Sequence, residues 1–227
     1  GHSSEQVGFN GICSDDMIKA NITVDNSVWC KSEESPCFKY YNNDITREEL
    51  DSIFEIDEAF CYESTMLKDW KAYAGVVQSG KNKGKPKKLA RARNNSLCVL
   101  TTRDPQTIED TRYIFAVFLI DEFNEGNEIK EGYVGSKSKY KVKLSPEEAG
   151  EILFWNYYSN NNNPQNISWN SGLHRYIYDE QAAQILKDIA EVKKGTKDEK
   201  LANEFLKYYC DINKIDIKKI KELKASS

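Results

Sequence analysis

Between Lys81 and Arg93 the chain carries seven cations, Lys81, Lys83, Lys85, Lys87, Lys88, Arg91 and Arg93, and no carboxylate. Gly80, Gly84 and Pro86 break any helix in the first part of this run, so the charges there sit on a loop. Cations gathered this closely repel one another unless a polyanion neutralises them. Phosphate contacts of this kind release counterions and make binding steeply salt-dependent. The competing reading is a solvated hairpin loop whose lysines maintain solubility. A second set of residues is aromatic. Phe154-Trp-Asn-Tyr-Tyr158 is followed by Asn160 to Asn163 and then by Trp169-Asn-Ser-Gly-Leu-His-Arg-Tyr176. Flat rings beside Asn and Arg are what base recognition uses, by stacking on the ring and hydrogen-bonding to the base edge. Trp70, Tyr73, Trp155 and Trp169 are the stacking candidates. Asn156 or Arg175 would read a base edge, and His174 and Tyr176 complete the pocket. Ordinary core packing of the indoles is the alternative.

Four cysteines, Cys13, Cys30, Cys37 and Cys61, are separated by 16, 6 and 23 residues. A structural zinc needs four soft ligands meeting tetrahedrally, and these four are the candidate set. The paired C-x2-C knuckles that usually announce such a site are missing. Buried thiols acting as small apolar side chains are the other reading. Cys98 and Cys210, on an expected strand and an expected helix, read as core. A hydrolytic reading rests on Asp121, Glu128 and Lys130, which could hold Mg²⁺ and activate water for phosphodiester cleavage. It wants Glu128 and Lys130 on a second strand, whereas Phe123 to Glu128 looks like a turn.

Other enzymatic constellations are missing. Neither nucleotide-binding glycine fingerprint occurs, nor does a G-x-S-x-G elbow. Gly1-His2-Ser3-Ser4 reads as a tag remnant, leaving His174 as the one native histidine. That excludes a His-rich metal centre and an H-x-E deaminase site.

The elements that must position these residues are legible from pattern. The acidic stretch from Asp44 to Asp69 opens with Thr46-Arg-Glu-Glu49, a capping box with Leu50, Ile53 and Phe54 behind it. Trp70 to Val77, Ser96 to Thr102, Arg112 to Asp121 and Gly132 to Leu144 are rich in β-branched and aromatic residues and read as strands. Tyr113 to Ile120 is apolar throughout, as a strand buried on both faces should be. Ser145-Pro-Glu-Glu148 caps a helix expected to run to about Tyr158. Further helices are expected after Asp179, from Asp198 to Tyr209 and from Ile215 to Leu223. This order implies an α+β fold with a mostly antiparallel, barrel-like central sheet, flanked by the cysteine-containing N-terminal region and by C-terminal helices. The expected division is 5–69 for the cysteine-containing region and 70–227 for the α+β core, packed as one compact unit.

With 227 residues, a net charge of -4 and 11% aromatic residues, the chain is large enough for a real core, and wholesale disorder is excluded. No apolar run approaches the length of a membrane span. The N-terminus lacks a secretory pattern. Glycosylation-type tripeptides at Asn21, Asn94 and Asn166 carry no weight without evidence of secretion. A chain of this size does not need disulfides to fold, so a reducing, cytoplasmic setting is expected.

Arg112-Tyr-Ile-Phe-Ala-Val-Phe-Leu-Ile-Asp121, then Gly132-Tyr-Val134, then Tyr140-Lys-Val-Lys-Leu144 running into a capped helix, resembles the central strand pattern of PUA-like domains of the EVE and ASCH kind. The resemblance spans Trp70 to Tyr158. It implies a small barrel that binds modified bases through an aromatic-lined pocket, fused in some members to restriction or other defence enzymes. The expectation is therefore a nucleic-acid-binding module, for DNA before RNA, that selects a modified or flipped base as the reader of a larger protein. A Mg²⁺-dependent nuclease and a protein-interaction domain are the rival readings.

Overall fold

The computed structural model describes residues 13–220, apart from 57, 60, 78, 105, 106, 161, 162 and 170–172. The chain divides into two compact units. One comprises Gly1–Lys71 with Asp104–Thr107, the other Ala72–Arg103 with Ile108–Ser227.

The first unit contains four short helices, α1 (Asp15–Thr23), α2 (Pro36–Tyr41), α3 (Arg47–Glu55) and α4 (Tyr62–Asp69). Polar caps start two of them. The Ser14 hydroxyl accepts from the Met17 N–H at α1, and Thr46 and Glu49 form the expected capping box at α3. Arg47 ties helix to helix, reaching the Cys13 carbonyl, Asp15 and Asp51, each at 2.9 Å. The core beneath is small: Cys13, Ile18, Ile22, Cys37, Leu50 and Phe54, with Cys30 and Cys61 packed against it.

The second unit carries two three-stranded sheets. β2 (Leu97–Thr102), β3 (Tyr113–Leu119) and β6 (Lys141–Lys143) form one in the order β2-β3-β6. β1 (Lys71–Tyr73), β4 (Glu122–Asn124) and β5 (Tyr133–Gly135) form the other in the order β1-β5-β4. The pairs β2–β3, β3–β6 and β4–β5 are antiparallel. The chain passes from one sheet to the other at Ile120 and Asp121. There the Ile120 N–H donates to the Ser96 carbonyl at 2.8 Å and the Asp121 N–H to the Gly135 carbonyl at 3.2 Å. The mixed α and β content matches the expectation; the barrel does not. Among the described residues no strand closes either sheet, and four of the six strands run only three residues.

β3 is buried on both faces, with Ile114 to Ile120 all interior. Its register against β2 slips where Leu100 faces Ala116 and Thr101 faces Ile114, so Phe115 is the extra residue of a bulge. The slip lets Ile114 and Val117, three apart, face one core. That core is completed by α6 (Asp179–Val192) and α7 (Glu199–Asn213) through Ile185, Leu186, Ile189, Phe205 and Tyr209. The helix expected to run to Tyr158 is instead α5 (Pro146–Gly150), followed by a 3-10 turn at Phe154–Asn156. Bonds from the Ile114 N–H to the Ile152 carbonyl and from the Phe154 N–H to the Arg112 carbonyl pull this backbone onto the end of β3 instead. The last expected helix is only a 3-10 turn at Ile217–Lys219, and residues 221–223 of it lie outside the described residues.

Candidate functional site

Lys81, Lys83 and Lys85 lie on an excursion that leaves β1 and returns. Val76 and Pro86 form an antiparallel bridge, and the Lys87 N–H donates to the Gly75 carbonyl at 2.9 Å. Gly75 has a φ of +73°, and a Cβ there would collide with Leu173, so glycine is required where the excursion meets the 173–176 segment. The three lysines at its tip are exposed, and none forms an ion pair with a described residue. Lys88 is paired with Glu128 at 2.5 Å, and Arg93 with Asp179 at 2.6 Å. Two of the seven cations therefore already have carboxylate partners.

The far end of this run meets part of the aromatic set. The Arg91 guanidinium lies over the Tyr176 ring at 5.5 Å, and the Arg91 N–H donates to the Tyr176 hydroxyl at 3.4 Å. His174 stands edge-on to Tyr176 with ring centroids 5.5 Å apart. Burial first, then the positive charges of Lys87 and Arg175, hold the His174 imidazole below its ordinary pKa. Its Nδ1 is buried without a hydrogen-bond partner among the described residues. The structure thus brings Lys87, Arg91, His174 and Tyr176 together.

The indoles are differently placed. Two guanidiniums lie over the Trp169 ring, Arg112 at 4.2 Å and Arg175 at 4.9 Å, and Phe154 meets it edge-on. Arg175 is fixed there by hydrogen bonds to the carbonyls of His174 and Trp169. Trp155 packs on Phe154 and Tyr158 and donates its indole N–H to Glu109 at 3.3 Å. The same Glu109 holds Arg112 at 2.5 Å. Trp155, Trp169 and Arg175 thus lie in one half-buried cluster with Phe154 and Arg112. Asn156 is exposed beside them. Tyr73 faces Tyr133 at 5.8 Å within the second sheet. Trp70 belongs to the first unit, where it ends α4 in the left-handed conformation at φ +50°.

The hydrolytic set does not assemble. Asp121 accepts from the N–H groups of Lys137 at 2.8 Å and Ser138 at 2.7 Å, so both its oxygens fasten the turn between β5 and β6. Glu128 is committed to Lys88, and Asn127 and Lys130 form the turn itself, with the Lys130 N–H donating to Asn127 Oδ1 at 2.8 Å. Among the described residues no three His, Cys, Asp or Glu side chains are placed to hold a metal ion. Cys13, Cys30, Cys37 and Cys61 form no such group, although all four meet the same small core. Burial raises all four thiols above the ordinary range, Cys37 to about 12, so in the metal-free chain they stand as neutral thiols. No described helix is long and apolar enough to cross a membrane.

The sequence assigns no site role to three residues that organise this region. Asp179 anchors Arg93, and Glu109 and Arg112 clamp the two indoles. Only the Glu109–Arg112 spacing of three left a signal. Comparison with protein-family models, curated proteins and solved structures finds no match to this chain.

Proposed function

We propose that the second unit binds nucleic acid through the strip formed by Lys81, Lys83, Lys85, Lys87 and Arg91, with Tyr176 and His174 as the rings nearest to it. The observation that carries this reading is the stacking of Arg91 on Tyr176, which joins a cationic loop to an aromatic side chain far away in sequence. Phosphates along exposed lysines and a base against a tyrosine face are the two ingredients of single-strand recognition. Reading of a modified or flipped base, as the PUA-like resemblance implies, is the finer part of the proposal. It falls to Tyr176, which keeps 40% exposure with one guanidinium over its ring, together with His174 and Asn156, whereas two guanidiniums lie over the half-buried Trp169. Service as the reader of a larger defence protein belongs to the same finer part.

The test is a titration of the whole chain with labelled single- and double-stranded DNA and RNA, with and without base modification, at several salt concentrations. Replacing Lys81, Lys83, Lys85 and Lys87 by Ala is expected to reduce the logarithmic salt slope by about 3 for single strands, from ~0.7 per phosphate contact. Tyr176→Ala is expected to weaken binding while leaving that slope intact. An unchanged slope in the quadruple variant refutes the site. Equal binding of a sulfated polysaccharide, which has charge and no bases, refutes the base contact.

A further inference from the structure

Buried polar atoms are almost always hydrogen-bonded, and one without a partner points to a group that the chain itself does not supply. Three such side-chain atoms occur among the described residues, and two of them, Ser35 Oγ and Arg47 Nη2, belong to the first unit. Ser35 is fully buried at the cap position of α2, where a serine usually accepts a backbone N–H, yet its hydroxyl makes no capping bond. Arg47 commits its other nitrogens to the Cys13 carbonyl, Asp15 and Asp51, leaving Nη2 buried with no acceptor. Both atoms can donate, so what they lack is an acceptor.

Four cysteines meet in the same place. Cys13 and Cys37 are buried in the small core, and Cys30 and Cys61 pack against it. They arrive from the lead into α1, the first turn of α2, the α1–α2 connection and the cap position of α4. Arg47 is hydrogen-bonded to the Cys13 backbone. At Cys37 burial raises the thiol, and Ser35 and Arg47 are the side chains that favour its thiolate. A thiol is a weak acceptor, whereas ionised sulfur is a strong one. A single zinc would need its sulfurs around one point, and no three metal-binding side chains are so placed among the described residues. An iron–sulfur cubane makes a different demand. Each cysteine binds its own iron at one corner, so the four sulfurs surround a shared core and stay apart from one another.

We propose that Cys13, Cys30, Cys37 and Cys61 hold a cubane of four irons and four sulfides, one thiolate to each iron, with Ser35 and Arg47 donating hydrogen bonds to its sulfurs. Loading replaces four S–H bonds by four Fe–S bonds and releases four protons, which burial otherwise keeps on the thiols. Four thiolates outweigh the charge of the cluster core, so the loaded centre is anionic, and Arg47 supplies a cation beside it. The ligands come from short helices and the turn between them, so the energy of holding the cluster is folding energy for this unit. The centre belongs to the first unit alone and owes nothing to the cationic strip of the second.

The experiment loads the whole chain with Fe²⁺ and sulfide under anaerobic, reducing conditions and removes what is loosely bound. Iron, acid-labile sulfide, visible absorption and the electron spin resonance of the reduced sample are then measured. About four irons and about four sulfides per chain are expected. Replacing any one of Cys13, Cys30, Cys37 and Cys61 by Ser should remove most of both, whereas Cys98→Ala with Cys210→Ala should remove neither. Ser35→Ala and Arg47→Lys keep all four ligands, and each should lower the reduction potential, because a hydrogen bond to sulfur favours the reduced cluster. A unit that merely fails to fold cannot produce that shift. A chain that retains no iron and sulfide overturns the proposal, as does one tightly held zinc with no sulfide, or a cluster that depends on Cys98 and Cys210 instead. Potentials unchanged in both Ser35→Ala and Arg47→Lys overturn the hydrogen bonds assigned to them.

Discussion

Lys193 is 4% exposed, and its ammonium lies 2.6 Å from Glu148 Oε2 and 3.6 Å from Asp198. The same Glu148 oxygen accepts the Ser145 N–H at 2.8 Å, closing the capping box of α5. One cation thus joins the start of α5, the end of α6 and the turn into α7. Lys193→Met keeps most of the stem and removes the charge, leaving Glu148 largely buried beside an apolar chain. Loss of one partner from a buried pair costs ~3–5 kcal/mol, and the partial access of Asp198 to water places this case near about 3 kcal/mol. Glu148→Gln, which still accepts the Ser145 N–H, should partly rescue the loss, because the double variant buries no unpaired charge. The coupling between the two sites should then be about 2 kcal/mol. Urea unfolding followed by amide exchange in α6 and α7 measures both quantities. A loss below about 1 kcal/mol for Lys193→Met, or additive single and double variants, would refute the claim that this ion pair organises the helical half.

Two further outcomes follow from the site. Asp121→Ala orphans the Lys137 and Ser138 N–H groups and should cost about 1–3 kcal/mol, read as a lowered melting temperature with no change in response to Mg²⁺. His174 has a folded-state pKa below its unfolded one, so the unfolded chain binds more protons as the pH falls. Its contribution to stability is therefore complete above the unfolded value of ~6.5 and is lost as the pH falls through it toward the folded value. Wild type should lose stability relative to His174→Leu on acidification; parallel pH profiles would show that this imidazole is not held neutral by its surroundings.

The residues whose partners lie within a few positions were the ones the sequence made visible. The capping boxes at Thr46 and Ser145, the apolar run of β3 and the periodicity of α6 and α7 all express local chemistry, and the structure keeps each of them. The stretch from Phe123 to Glu128 looks like a turn in sequence because the three residues of β4, Glu122-Phe-Asn124, hold too little pattern; its strand conformation comes from pairing with β5. The stop after Gly150 was equally hidden. Ala149, Ile152, Leu153 and Tyr157 have helical spacing, yet Ile152 and Phe154 bond to the start of β3, and tertiary pairing overrides the period. In the candidate site, composition alone located the cations and the rings. What separates Tyr176 from Trp169 is which side chains cover them, Arg91 in one case and Arg112 with Arg175 in the other, and nothing in the spacing of those residues foretells it.

The basic run is also better prepared than seven repelling charges on a loop would imply. Its interior is stitched by backbone bonds from the Gly132 N–H to the Lys87 carbonyl and from the Leu89 N–H to the Glu125 carbonyl, both within the fold of the second sheet. Its end is held by Arg93 on Asp179 at the first turn of α6, and by Asn213 of α7, which donates to the Asn95 carbonyl at 3.0 Å. Asp179 also accepts from the Tyr209 hydroxyl at 3.3 Å, so the anchor reaches the main core. A segment tied at both ends has lost most of its backbone freedom before any ligand arrives, and only the side-chain entropy of the exposed lysines remains to oppose binding. The two paired cations then matter for where the loop stands, and Lys81, Lys83, Lys85 and Lys87 for what it attracts. Arg93 thus holds the loop to α6 and Lys88 holds it to the turn that carries Glu128, while Lys81, Lys83 and Lys85 are exposed at the tip.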